Sequence, residues 1–298
     1  MHTRKLYNGV EIPAIFYGPG ILQDYRSQLL QSIKQGDISL HTIQSIWKNK
    51  KIESVIHDAL SNGCCGFDTS AAYGDAEKII GQQLSHVARK KVFLTTKISN
   101  RQQLKKNVSR VYRNTLDTLG MKYVDLYLIH WPQPGYLDTW KQMEELYLTG
   151  KVKAIGVCNF QINHLEELMK IAQVKPMVNQ FEVHPLFTQE ELCSYCTEKQ
   201  IQVMSYTPVA RCDDRLMNSS AMKQIAMKHK CSIVQVLLRW HIQKGYVPVV
   251  RANNAKHLKT NFDIFHFHLN ENEISIIDQM NLNSRLRYDS NHCNFKDL

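Results

Sequence analysis

Val92-Phe93-Leu94-Thr95-Thr96-Lys97-Ile98 is a short run of apolar and β-branched residues. Gln102–Leu119 follows with apolar residues at helical spacing, and Val124-Asp125-Leu126-Tyr127-Leu128-Ile129-His130 is a second short apolar run. Extended, helical, extended is one strand–helix–strand unit. The two short runs are nearly continuous in apolar character rather than alternating, as strands covered on both faces must be.

The same rhythm extends in both directions. Further apolar runs stand at Ala14–Tyr17, Cys64–Asp68, Ala154–Cys158, Val178–Val183, Gln202–Thr207 and Tyr246–Val250. Helical patterns lie between them at Ile52–Leu60, Ala76–Val87, Thr139–Leu148, His164–Ile171, Glu190–Lys199 and Val234–Gln243. Gly63, Gly120, Gly150 and Gly245 fall where C-terminal helix caps belong. About eight strand–helix units in a chain of this length predict an α/β fold, a closed (β/α)8 TIM barrel of parallel strands. No Pro-, Gly- or Ser-rich linker divides the chain, so a single domain over residues 1–298 is expected. An open, doubly wound sheet is the competing architecture. It would carry a Gly-rich turn after its first strand, and Gly18-Pro19-Gly20-Ile21-Leu22-Gln23 lacks the third glycine.

Composition narrows the classes. Hydrophobic residues make up 43% of 298, enough for a large core, and 21% charged residues spread along the chain argue against disorder. No apolar stretch approaches the ~18–20 residues of a spanning helix, and Met1–Gly9 has no apolar core of a signal peptide. A cytoplasmic protein with no membrane association is therefore expected. The 37 Lys+Arg against 27 Asp+Glu leave a net charge of +10, which suits an anionic ligand. The clusters Lys48-Asn49-Lys50-Lys51 and Lys105-Lys106 read most simply as solvated helix faces. Without zinc-finger spacing or an RNP-type aromatic signature, no nucleic-acid partner is expected. The eight cysteines are expected as reduced thiols. Cys193-Ser194-Tyr195-Cys196 has no second pair and no His pair, so it reads as packing on one helical face rather than a metal site. Cys64 and Cys65 read as buried.

In a parallel barrel the loops after the strands form the active-site mouth. Asp68 closes one apolar run, with Tyr73 in the loop beyond; Lys97, His130 and Asn159 stand at the ends of three others. Each has a plain alternative: a turn cap for Asp68, a rim residue for Tyr73, a surface lysine for Lys97, a packed core histidine for His130. Their coincidence at neighbouring strand ends favours chemistry. A free tyrosine, with a pKa of ~10, is a poor acid at neutral pH. A nearby ammonium favours the phenolate and eases proton donation. Asp68 would hold Lys97 charged and in place, and His130 would orient a substrate oxygen. Such a set can protonate a carbonyl oxygen while hydride reaches the carbon, and the hydride must come from a cofactor. No G-x-S-x-G elbow suggests acyl transfer.

At these residues the sequence resembles the aldo-keto reductases, from about Tyr7 to Asn281. The resemblance is carried by Gly66–Glu77, Leu128-Ile129-His130-Trp131-Pro132, Gly150–Phe160 and Val178-Asn179-Gln180-Phe181-Glu182-Val183-His184-Pro185. It implies a (β/α)8 barrel with an N-terminal hairpin and an NADP(H) site without a Rossmann fingerprint. It further implies a tetrad of Tyr73 as proton donor, Lys97, Asp68 and His130. Asn159 and Gln180 would hold the nicotinamide carboxamide, with Cys158 where the family usually has Ser, and Tyr206 would stack on the ring. Arg251, Asn254, His257 and Asn261 would meet the adenosine end. Arg251-Ala252 and His257 depart from the usual I-P-K-S and R-x-x-E-N patterns, so NADP(H) is expected to be preferred, with NAD(H) also accepted.

Trp131 is expected as an aromatic wall of the substrate pocket. Gly20 and Ser99 stand where the family often has aromatic residues, which predicts a wider, more polar mouth. Residues 21–50 lengthen the first strand-to-helix connection and contain an amphipathic stretch, Tyr25–Lys34, read as a surface insertion, a lid or a partner surface. The tail after Asn281 is too short for a long C-terminal substrate loop. The expected activity is reduction of an aldehyde or ketone to the alcohol by a monomer acting on a small-molecule carbonyl compound. The alternative is a nucleotide-binding regulatory subunit on the same barrel, with little turnover.

Overall fold

The computed structural model describes residues 2–23, 25–36 and 39–295. Positions 24, 37 and 38 of the expected insertion lie outside the described residues, as do the side chains of Lys48, Asn49 and Lys51 in the basic cluster. Two short strands, β1 (Thr3–Lys5) and β2 (Glu11–Pro13), pair antiparallel with Arg4 opposite Ile12. This is the expected hairpin, and it buries Ile12 completely.

Eight strands then close a barrel. They are β3 (Phe16–Tyr17), β4 (Gly66–Asp68), β5 (Phe93–Ile98), β6 (Leu126–Ile129), β7 (Ala154–Cys158), β8 (Val178–Glu182), β9 (Gln202–Tyr206) and β10 (Val247–Val250). Every neighbouring pair is parallel, and β10 returns to β3 with Val249 opposite Phe16. The closed order excludes the open sheet. The long apolar runs are explained by burial on both faces: every residue of β4 to β8 is buried. Trp140 and Trp240, both fully buried, belong to the surrounding helices and seal them on the barrel.

The predicted helices are present with shifted ends, and the four cap glycines all adopt positive φ, from +63° at Gly120 to +83° at Gly245. The expected Gln102–Leu119 helix is two, Asn100–Gln103 and Val108–Leu119. Lys106 is left-handed at φ +49°, and Asn107 Oδ1 then accepts from Arg110 N at 2.9 Å, so a new N-cap starts the second helix. The apolar rhythm does not mark the helices Ser220–Lys228, Ala255–Phe262 and Glu271–Asp278.

Residues 21–50 hold the helix Tyr25–Gln35 and the start of a longer one, Leu40–Ser61. Leu29, Leu30, Ile33, Leu40 and Trp47 are exposed on this pair. All eight cysteines are free; Cys193 and Cys196 are buried on one helix, and Cys64 and Cys65 are buried as expected. Among the described residues no helix is long and apolar enough to cross a membrane.

Candidate active site

The residues named at strand ends meet at one end of the barrel. Asp68 is the last residue of β4, and Lys97 the penultimate residue of β5. Asp68 Oδ2 accepts from Lys97 Nζ at 2.6 Å, and Thr69 O accepts from the same nitrogen at 2.9 Å. Burial disfavours the ammonium, but the Asp68 carboxylate and then the Tyr73 phenol more than offset it, holding Lys97 above the ordinary lysine range. The lysine is therefore a fixed cation inside the barrel, and the surface alternative fails: its exposure is 0%.

Tyr73 follows in the loop after β4. Its ring lies 5.3 Å from Lys97 Nζ and 5.5 Å from the His130 ring, edge to face. Burial is the largest influence on the phenol and raises its pKa; Lys97 is the strongest force in the opposite direction. The net direction is upward, opposite to the lowering expected from Lys97 alone. A phenol held this way stays protonated through neutral pH and remains available as a donor.

His130 stands one residue past β6 and is buried, which together with Lys97 and Arg287 holds it far below its usual range and keeps it neutral. Ser70 Oγ lies 3.1 Å from His130 Nδ1 and accepts from Ala72 N at 3.1 Å. Accepting from Ala72 N leaves the Ser70 hydroxyl its own hydrogen, and where that hydrogen is given to Nδ1 the ring proton stands on His130 Nε2. That tautomer can donate to a carbonyl oxygen. Ser70 was not singled out from sequence, although it lies two residues after Asp68.

The amide residues gather at the same end. Gln180 Nε2 donates to Asp68 Oδ1 at 2.8 Å. Asn159, left-handed at φ +64°, donates from Nδ2 to His130 O at 3.0 Å and accepts from Tyr206 OH at 2.6 Å. The side chain thus ties β6 to β9, and those bonds hold a backbone conformation that an asparagine adopts more readily than most residues. Cys158 is buried beside both: its Sγ lies 3.8 Å from Gln180 Oε1 and 3.2 Å from Asn159 Nδ2. Burial pushes the Cys158 thiol up to about 12, so it is a neutral neighbour. Trp131 is buried next to His130, with ring centroids 6.3 Å apart.

Arg251, Asn254, His257 and Asn261 form a separate group at the end of β10 and in the following helix. Arg251 is exposed and makes no hydrogen bond or ion pair with a described residue; its charge favours the Tyr17 phenolate. A β-carbon built on Gly20, itself at φ +75°, would stand 3.5 Å from Arg251 Nη1, so the absent side chain leaves the guanidinium accessible. Asn254 Oδ1 caps the helix Ala255–Phe262 by accepting from His257 N at 2.8 Å. His257, Lys256 and Lys259 are exposed on that helix, and Asn261 is buried. No described contact joins this group to Tyr73 or Lys97.

The donor set fits a nicotinamide dinucleotide. Beyond the bonds described, Asn159 Oδ1 keeps a lone pair and Gln180 Nε2 a hydrogen for another carboxamide, the half-buried Tyr206 ring offers a stacking face, and the exposed Arg251 beside a helix N-terminus suits phosphate.

A family model described as aldo/keto reductase family matches residues 39–282. The glyoxal reductase of Bacillus subtilis is 37% identical over 286 residues, spanning 95% of this chain and 94% of its own length. The methylglyoxal reductase of Salmonella typhimurium is 34% identical, spanning 85% of this chain and 94% of its own. An aldo-keto reductase crystal structure from a Medee basin deep-sea metagenome library superposes with a TM-score of 0.86 at 30% identity, covering 98% of this chain and 99% of that one. A Bombyx mori aldo-keto reductase solved in complex with NADP gives 0.82 at 28% identity, covering 97% and 96%.

Proposed function

The chain belongs to the aldo/keto reductase family, and on that basis we propose that it reduces a small aldehyde or ketone to the alcohol with NADPH, the proton coming from Tyr73. The observation that carries the reading is the convergence of Tyr73, Lys97, Asp68 and His130, with the buried Lys97–Asp68 contact of 2.6 Å at its centre. The names of the glyoxal and methylglyoxal reductases support short carbonyl compounds as the substrate class.

Each residue has a distinct task. His130 Nε2 donates to the carbonyl oxygen and fixes its approach, while Ser70 holds the ring in that tautomer. Tyr73 OH gives its proton to the oxygen as negative charge develops there; an alkoxide is a much stronger base than a phenolate, so the transfer runs downhill. Lys97 stabilises the phenolate left behind, and Asp68 keeps Lys97 oriented. When bound, the nicotinamide supplies hydride to the carbonyl carbon. Asn159 and Gln180 would hold its carboxamide, Tyr206 its ring face, and Arg251, with Asn254, His257 and Asn261 around it, the adenosine phosphate. Trp131 would line the substrate side.

The same reading takes residues 1–298 as one domain with 21–50 inserted, and the monomer as the working unit, since a single chain supplies the whole tetrad. Eight free thiols support a reducing compartment such as the cytoplasm. The assembled tetrad supports turnover over the regulatory-subunit alternative. The test is NADPH oxidation with glyoxal, methylglyoxal and neutral aldehydes, with the alcohol product identified. No turnover across that panel by protein that binds NADPH would overturn the reading.

A further inference from the structure

The end of the barrel opposite the tetrad carries a second group of cations. Lys122 lies in the turn that enters β6, and Lys151 and Lys153 lie in the turn that enters β7. His130 and Asn159 stand where the same two strands leave the barrel, so the entry turns are a strand length away, roughly 15 Å. Arg113, on the helix Val108–Leu119, joins the three lysines around one hollow of about 670 Å³. That volume lies within the range of small-molecule sites.

Two of the cations at this end are fixed. Lys153 Nζ lies 2.7 Å from Asp125 Oδ1 and 4.7 Å from the centre of the Tyr123 ring. Arg89 pairs with the other oxygen of the Asp125 carboxylate, and its guanidinium carbon lies 4.0 Å from the centre of that ring. Asp125 is buried, and its single negative charge is shared by these two. The side chains of Arg113, Lys122 and Lys151 are exposed and make no hydrogen bond or ion pair with a described residue. No carboxylate stands among the described residues that line the hollow, whereas Leu116 and Leu146 give it an apolar wall. Several like charges around one hollow, with no counter-charge in it, focus a positive potential there. An anion with several negative charges in a small volume answers that field best. Lysine ammoniums bind phosphate as point charges, and Arg113 adds a fork of donors. The apolar wall leaves room for an organic group beside the phosphates.

We propose that this hollow is a second ligand site, which binds a small molecule carrying a chain of two or more phosphates. It is separate from the Arg251 group, which lies at the exit end of β10 and is left for the cofactor. The inference goes beyond the reductase reading and does not rest on it.

The experiment is calorimetric titration of NADPH-saturated protein with magnesium-free ATP and, separately, with tripolyphosphate. The wild type is expected to bind one molecule per chain. Lys122→Ala/Lys151→Ala should weaken binding about tenfold or more. Lys170→Ala/Lys223→Ala removes the same charge from exposed positions on the helices Ile162–Ile171 and Ser220–Lys228 and should change it by less than about twofold. Arg251→Ala should also leave it within about twofold. The two titrants separate the sources of such a chain. Tighter binding of ATP places the nucleoside on the apolar wall, and equal binding leaves the phosphate chain as the whole ligand; both support the site. Absence of binding by the wild type overturns the proposal. So does equal weakening in the two lysine pairs, which would assign the binding to net charge, or loss of binding in Arg251→Ala, which would place the titrant in the cofactor groove.

Discussion

Lys97 Nζ and Asp68 Oδ2 lie 2.6 Å apart, with the lysine side chain wholly out of solvent. A cation in that position is tolerated because a carboxylate faces it and the Thr69 carbonyl takes a second hydrogen. Asp68→Asn leaves the cation without its counter-charge. The expected cost is about 3–5 kcal/mol of folding stability, read as a lower denaturation midpoint in urea. A loss under ~1 kcal/mol would mean that the pair behaves like an exposed one.

In the proposed mechanism Ser70 would act on the reaction through His130. Ser70→Ala removes the hydroxyl 3.1 Å from Nδ1 and frees the imidazole to place its proton on that nitrogen. The expected result is a fall in kcat of roughly tenfold with little change in NADPH affinity, and Ser70→Thr should restore part of the rate. Fold stability measured alongside separates this positioning role from simple loss of structure.

In the proposed reading Arg251 would hold the phosphate that distinguishes NADPH from NADH. Arg251→Ala should raise the NADPH dissociation constant about tenfold or more while changing that for NADH by less than about twofold. Fluorescence titration with both nucleotides checks it. Equal losses for the two would place Arg251 elsewhere on the cofactor.

Glu77 gives a pH-dependent prediction. Burial is the main force that raises its carboxyl to about 7, against a smaller opposing hydrogen bond in which Thr96 Oγ1 donates to Oε1 at 2.6 Å. The folded state therefore holds this proton more tightly than the unfolded chain does. Stability is lost as pH rises from the ordinary carboxylate range through about 7, and the loss is complete above it. Glu77→Gln retains the acceptor for Thr96 and removes the buried charge. It should stabilise the protein by about 1–3 kcal/mol at pH 8 and hardly at all near pH 4.5, as measured by chemical denaturation at both pH values.

The parts legible in the sequence were those governed by local pattern. Continuous apolar runs marked all eight barrel strands because two-sided burial leaves little room for polar residues, and the strand-end positions of Asp68, Lys97, His130 and Asn159 followed from them. The helix Val108–Leu119 was merged with its neighbour because a left-handed Lys106 has no apolar signature, although Asn107 was there as a capping signal. Ser70 was missed because its role depends on a histidine 60 residues away. The direction of the Tyr73 shift also required the fold, since burial outweighs Lys97 only once the loop is packed.

The most direct measurement is pre-steady-state reduction of methylglyoxal by Tyr73→Phe together with NADPH titration of the same protein. Proton donation by Tyr73 predicts a fall in the chemical step of roughly 10²–10⁴-fold with NADPH affinity within about twofold of wild type. A chemical step near the wild-type rate would contradict the assignment, because the phenol would then not be the source of the proton.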